Sequence, residues 1–154
     1  MKKGRTQGWM VAMGAALALA AAPGTVEAQT DDEVAVREVL ELYLRSHATG
    51  EGEHVARAFH PQLVMYFYRN GEMGSRSAAD YVAGHTGAPA ADEALRRRWI
   101  AMVDITGTAA SAKVVLDYPA VRFTDYFTLL KIGDEWKIMN KVFHSEPKAP
   151  GSND

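Results

Sequence analysis

The side chains with the most chemical promise in this sequence are an aspartate and the residues that could gather round it. Asp125 sits in the run Val121–Leu129, where Val121, Phe123, Phe127 and Leu129 share its side of an extended chain. A carboxylate in such apolar company must reach solvent, find a counter-charge, or be held there for acid–base work. Lys141, in the next run, is the expected counter-charge. Tyr43, from far upstream, offers a hydroxyl. Together Tyr43, Asp125 and Lys141 read as polar hooks, with Asp125 and His144 as the candidate acid–base residues. Phe59, Phe67, Tyr81, Trp99, Phe123 and Phe143 are the expected aromatic walls, which would suit a small, partly apolar or flat heteroaromatic molecule.

Other chemistries find little support. None of the 5 histidines has His-x-His or His-Glu-x-x-His spacing, so no metal site is expected, and no cofactor. His60 and His144 fall near predicted element ends, while His47, His54 and His85 read as solvent-facing. The Arg96-Arg97-Arg98 triplet alternates sides on a strand and cannot act as one patch. There is no cysteine, which removes thiol chemistry, and neither a glycine-rich phosphate loop nor a serine nucleophile elbow.

The elements that must position these residues can be read in order. Thr30 or Asp31 caps a first helix that puts Val36, Val39, Leu40, Tyr43 and Leu44 on one face, up to Gly50 and Gly52. A short second helix carries Val55, Ala56 and Phe59 inward and stops at Pro61. Leu63–Tyr68 is a strand that turns at Asn70-Gly71, and Ser77 with Asp80 resembles a capping box for a third helix reaching about His85. Four strands follow: Arg97–Ile105, Ser111–Tyr118, and a closing hairpin of Phe123–Ile132 and Trp136–Phe143 about a Gly133-Asp134-Glu135 turn. The fold class is α+β: three N-terminal helices packed on a curved, mostly antiparallel sheet that rolls into a cone. A cone leaves room for a ligand.

The first 28 residues read as an export signal. Lys2, Lys3 and Arg5 precede an uncharged run from Trp9 to Ala22, Pro23-Gly24 breaks it, and Val26-Glu27-Ala28 offers a cleavage site. Cleavage leaves 126 residues: one domain over 29–145 and a polar, flexible tail over 146–154. That mature chain has 14 basic against 18 acidic residues, a net charge of −4, which argues against nucleic acid as partner and against membrane after cleavage. The expected location is exported, periplasmic or secreted.

The order of these landmarks resembles the nuclear transport factor 2-like superfamily, and within it the branch named for putative lumazine binding. The resemblance rests on Val39-Leu40-Glu41-Leu42-Tyr43 leading to Gly50-Glu51, on Phe59-His60-Pro61 and on Ser77-Ala78-Ala79-Asp80. It continues through Ala109–Val115, Asp125-Tyr126-Phe127-Thr128-Leu129 and Trp136–Val142. It implies a homodimer and a small-molecule cavity, with a pterin-like or lumazine-like ligand. Ketosteroid isomerase shares the superfamily. Tyr43 and Asp125 resemble the tyrosine and neutral aspartate of that enzyme's oxyanion hole, but Phe67 stands where its general base would be. An isomerase, cyclase or dehydratase using Asp125 or His144 is therefore the alternative to a binding domain, and an interaction scaffold with a filled cone is a third.

Overall fold

The computed structural model describes residues 30–149; the expected leader, and residues 150–154 of the expected tail, lie outside the described residues. Helix α1 (Asp31–Thr49) begins as its sequence dictates, with Thr30 Oγ1 accepting the Glu33 N–H at 3.2 Å. Asp31, Asp32 and Glu33 in the first turn suit the positive end of the helix dipole. The helix ends where Gly50 enters the left-handed region at φ 74° and donates its N–H to Ser46 O at 2.9 Å. Its buried face is Val36, Leu40, Tyr43 and Leu44.

The remaining elements are α2 (Gly52–Ala58), β1 (Phe59–Arg69), β2 (Glu72–Ser77) and α3 (Ala78–Ala83), then β3 (Arg97–Thr106), β4 (Ala109–Asp117), β5 (Val121–Ile132) and β6 (Glu135–Pro147). Ser77 forms the expected cap of α3: its Oγ accepts the Asp80 N–H at 3.2 Å and donates to Asp80 Oδ2 at 2.6 Å. The six strands make one sheet in the order β2-β1-β6-β5-β4-β3, antiparallel except for the β1–β6 pair. Bulges interrupt the β1–β6, β3–β4 and β5–β6 ladders, and such bulges bend and twist a sheet. The fold is α+β, with helices over one face of a mostly antiparallel sheet.

Three details depart from the sequence reading. α2 ends at Ala58, so that Phe59 and Pro61 stand in β1, and Ala56, expected inward, is exposed. β2 was not expected; its sequence Glu-Met-Gly-Ser-Arg-Ser lacks an apolar alternation because it is an edge strand. The turn before it was legible, since Asn70 (φ 54°) and Gly71 (φ 84°) both adopt the positive φ that a two-residue hairpin loop requires. At the other end, β6 runs on to Pro147, pairing Glu146 and Pro147 with Arg122 and Val121, so the expected tail begins inside the sheet.

The pairing register sorts side chains between two faces. One inner row runs Val114, Asp125, Phe143, Phe67, Gly74, and the next runs Ala112, Phe127, Lys141, Met65, Arg76. These rows face α1 and α3 and close the core with Leu40, Tyr43, Phe59 and Ile138. Between them, on the opposite face, lies the row Lys113, Tyr126, Val142, Tyr66. Trp136 anchors α1 to the closing hairpin by donating Nε1–H to Asp32 Oδ1 at 3.0 Å, beside a 2.7 Å bond from Lys131.

Gly50 joins α1 to the rest through its carbonyl, which accepts the Gly87 N–H at 2.8 Å. A Cβ there would collide with the backbone of Ala88, whereas one at Gly133 (φ 63°) meets nothing within 4 Å. Gly133→Ala should thus cost about 1 kcal/mol, the usual penalty for a left-handed L-residue, and Gly50→Ala at least twice that. Urea denaturation of the two variants checks the ranking; equal costs would mean that the Gly50–Ala88 contact relaxes freely.

Candidate functional site

Helical periodicity and strand parity bring the three polar hooks together. Tyr43 projects from α1 onto the inner face of the sheet, where Asp125 of β5 and Lys141 of β6 are diagonal neighbours. The Tyr43 hydroxyl donates to Asp125 Oδ2 at 2.6 Å, and Lys141 Nζ lies 3.0 Å from the same oxygen. Lys141 also donates to the Tyr43 hydroxyl oxygen at 2.5 Å. Asp125 is 0% exposed and Lys141 4%. Asp125 Oδ1 is buried and has no hydrogen-bond partner among the described residues.

The chain of polar groups extends upward through Tyr81 of α3, whose hydroxyl donates to that of Tyr43 at 3.3 Å and lies 2.9 Å from His47 Nε2. Counting donors assigns the proton positions. Tyr43 gives its proton to Asp125 and Tyr81 gives its own to Tyr43, which leaves His47 Nε2–H as donor to Tyr81. Burial, and then the positive charges of Lys141 and Arg98, hold the His47 imidazole well below its ordinary pKa, in keeping with a neutral ring. Burial, and then the Asp125 charge, push the Tyr43 phenol well above its own, so it stays protonated. The rings pack as tightly as the hydroxyls bond: Tyr43 stacks on Phe59 at 6.1 Å and meets Phe127 edge-on at 5.0 Å.

Above this chain lies a cavity of about 230 Å³. Met65, Phe67, Leu116, Phe123 and Phe143 are its apolar walls; Lys141, Tyr81 and His47 reach it from below, and Arg69 and Arg76 complete its lining. Lys141 has three N–H donors and uses two, on Tyr43 and Asp125, so one remains for the cavity. Gly74 makes room for a wall, since a Cβ there would strike the Phe67 ring. A more open groove of about 400 Å³ adjoins and shares His47, Arg76 and Tyr81, with His85, Ala88 and Arg96 beyond them.

Five of the residues expected in the site line this cavity: Phe67, Tyr81, Phe123, Lys141 and Phe143. Tyr43 and Asp125 lie sealed beneath it. Phe59 is not a wall: it is 3% exposed, packed into the core against Tyr43 and Tyr81. Trp99 and His144 are corrected by strand parity. Trp99 pairs with Val115 and His144 with Thr124, all on the outer face, where Trp99 is 42% exposed. His144 therefore has no access to the cavity. The histidines read as solvent-facing are also revised: His47 lines the cavity, His85 binds Tyr81 O through Nδ1 at 3.0 Å, and His54 lies 2.9 Å from Glu51. His60 accepts the Gln62 N–H at Nδ1.

Arg69 and Arg76 escaped the sequence reading. Arg69 continues the alternation of Met65 and Phe67 and could have been found that way; Arg76 sits on the unexpected strand β2. The arginine triplet does alternate. Arg96 and Arg98 flank the Tyr118 ring at 4.2 and 5.0 Å, paired with Asp92 and Glu93, and Arg97 is exposed.

The sequence profile of the family described as putative lumazine-binding matches residues 31–144. The fold is similar to that of an NTF2-like protein of unknown function from Methylobacillus flagellatus KT, 31% identical, covering 79% of this chain and 97% of that one at a TM-score of 0.67. A second NTF2-like protein of unknown function, from Shewanella baltica OS155, is 26% identical with the same TM-score of 0.67 and covers 79% and 100% of the two chains. A curated relative, the aldolase FrzH of Cladobotryum sp, is 24% identical over 106 residues, 69% of this chain and 85% of its own.

Breaking the buried pair from one side should strand a charge and cost about 3–5 kcal/mol. Lys141→Met and Asp125→Leu should each do so, and the double variant should cost less than either; additive losses in urea unfolding would show the two groups to be uncoupled. His47 gives a pH signature. The unfolded chain takes up a proton as pH falls through the ordinary value of 6.5, while the folded one resists it. Stability should therefore decline below that pH, and His47→Gln should remove that part of the decline. Superimposable pH–stability curves for the two proteins would refute it.

Proposed function

The chain belongs to the putative lumazine-binding family of nuclear transport factor 2-like domains, and from that premise we propose that it is an exported, homodimeric domain that binds a small, partly apolar molecule in the aromatic cavity above Lys141. The observation that carries the reading is the cavity itself: Phe67, Phe123 and Phe143 for walls, and a lysine with one donor to spare beneath them. Flat rings stack on such walls, and a heteroatom facing Lys141 would be fixed in orientation by the ammonium. A pterin-like or lumazine-like heteroaromatic is the ligand the family description suggests.

Binding is preferred to catalysis on access. Removing a proton beside a carbonyl, as an isomerase or an aldolase must, needs a base that reaches the ligand. The two expected acid–base residues do not reach it: Asp125 is sealed beneath the cavity and His144 is on the far face of the sheet, while His47, which does line the cavity, has its Nε2 engaged by Tyr81. The scaffold alternative requires a filled cone, and an open volume of about 230 Å³ speaks against it.

The leader residues Lys2, Lys3 and Arg5, with the uncharged run after them, support export to a periplasm or the exterior. The outer face supports the dimer. Tyr66, Tyr126, Val142 and Trp99 are each more than 40% exposed, and a sheet face of this kind favours burial against a second copy.

Native mass spectrometry on residues 29–154 should show a dimer, and lumazine or a pterin should add its mass and raise the thermal midpoint. Phe143→Ala should weaken that binding by about tenfold, the scale of losing a buried aromatic contact. A well-folded protein that takes up no flat heteroaromatic would overturn the proposal.

A further inference from the structure

The charges around the cavity are all of one sign. Arg69, Arg76 and Lys141 line it, and no acidic side chain does so among the described residues. Lys141 is already answered by Asp125. Arg69 and Arg76 are not: neither has a carboxylate within salt-bridge distance among the described residues. The contrast with the other arginines near the site is informative, because Arg96 and Arg98 are each tied to a carboxylate, at 2.8 and 2.5 Å.

Each free arginine is set over the cavity by its strand. Arg69 follows Phe67 by two residues, and its guanidinium lies 5.8 Å from the Phe67 ring centroid and 6.0 Å from that of Phe143. No hydrogen bond or ion pair occupies that guanidinium among the described residues, so its N–H donors are available to a ligand. Arg76 shares the inner row of Lys141 and Met65 and borders both the cavity and the adjoining groove. The groove, too, is lined by Arg76, His47, His85 and the Asp92-paired Arg96, with no acid in its lining among the described residues. Two unpaired forked cations beside aromatic walls match an oxyanion joined to a ring.

We infer that the ligand of this cavity is an acid: a flat apolar or heteroaromatic ring carrying an oxyanion, with the ring between Phe67, Phe123 and Phe143 and the anion clasped by Arg69 and Arg76. This rests on the binding function proposed above and specifies its ligand class. The attraction is local, since the protein as a whole carries a net charge of −2 and would repel anions at long range. A carboxylate and a phosphate monoester share the chemistry, and the number of charges separates them.

Isothermal titration of the protein with 2-naphthoate, 2-naphthyl phosphate and the neutral 2-naphthamide tests it. At least one anion should bind about tenfold or more tightly than the amide, as charge-assisted bonds to an arginine fork imply. The tighter of the two anions identifies carboxylate or phosphate. Arg76→Gln and Arg69→Gln should each erase most of that anion-to-amide ratio, and rising salt should weaken only the anions in the unaltered protein. Equal affinity of amide and anions would overturn the anion inference while leaving the cavity a binding site. Failure of all three probes, in a protein that still unfolds cooperatively, would overturn the binding function and this inference with it.

Discussion

A lysine and an aspartate buried together beneath a helix set the terms for the rest of this structure. Neither group can be left there alone, because an unpaired charge in an apolar interior costs more than the fold's other local preferences can offset. Lys141 and Asp125 come from adjacent strands, and the inner-face parity of both strands is thereby fixed: a slip of one residue would turn either charge outward and abandon the other. Tyr43 must then lie within reach of both, which pins the rotation of α1 about its axis. Tyr81 and His47 continue the same accounting, each giving a proton to the next oxygen down.

The cavity follows from how that requirement is met. The side chains of the polar chain fill the floor of the inner face, and Phe67, Phe143 and Phe123 line the cavity beside it. Gly74, on the edge strand, has no side chain to compete with the Phe67 ring. The free space therefore lies where polar satisfaction stops and aromatic packing has one side open. That gives the cavity a polar floor, apolar walls and an arginine border.

The sequence carried the centre of this arrangement and not its edges. Asp125 among apolar alternates, with Lys141 as counter-charge, was legible because strand parity and the cost of burial depend only on local residues. Tyr43 was legible through the helical face it shares with Val36 and Leu40. Phe67, Tyr81, Phe123 and Phe143 followed as aromatic residues on inward positions. His47 was misread as solvent-facing, although it lies four residues after Tyr43 on the same face of α1, where a single turn of helical period would have been enough to place it. Trp99 and His144 were misplaced for a common reason. Aromatic character says that a residue wants a covered surface, but a sheet has two faces, and only the pairing register says which one. β2 was invisible because an edge strand is freed from the apolar alternation that reveals a central one, and Arg76 was hidden with it.

Lysine at position 141 also separates this site from the oxyanion hole that Tyr43 and Asp125 resemble. Such a hole needs two donors aimed at a developing negative oxygen, from a tyrosine and from a carboxylic acid that keeps its proton. Here the Tyr43 proton is spent on Asp125, and both oxygens face an ammonium. The two residues have become the support of a cation instead of the binders of an anion, and the donor offered to the cavity is the remaining N–H of Lys141. Whatever occupies the cavity meets one fixed positive group below and, at its border, two arginines that no carboxylate answers among the described residues. Recognition by position and charge is what that geometry can perform.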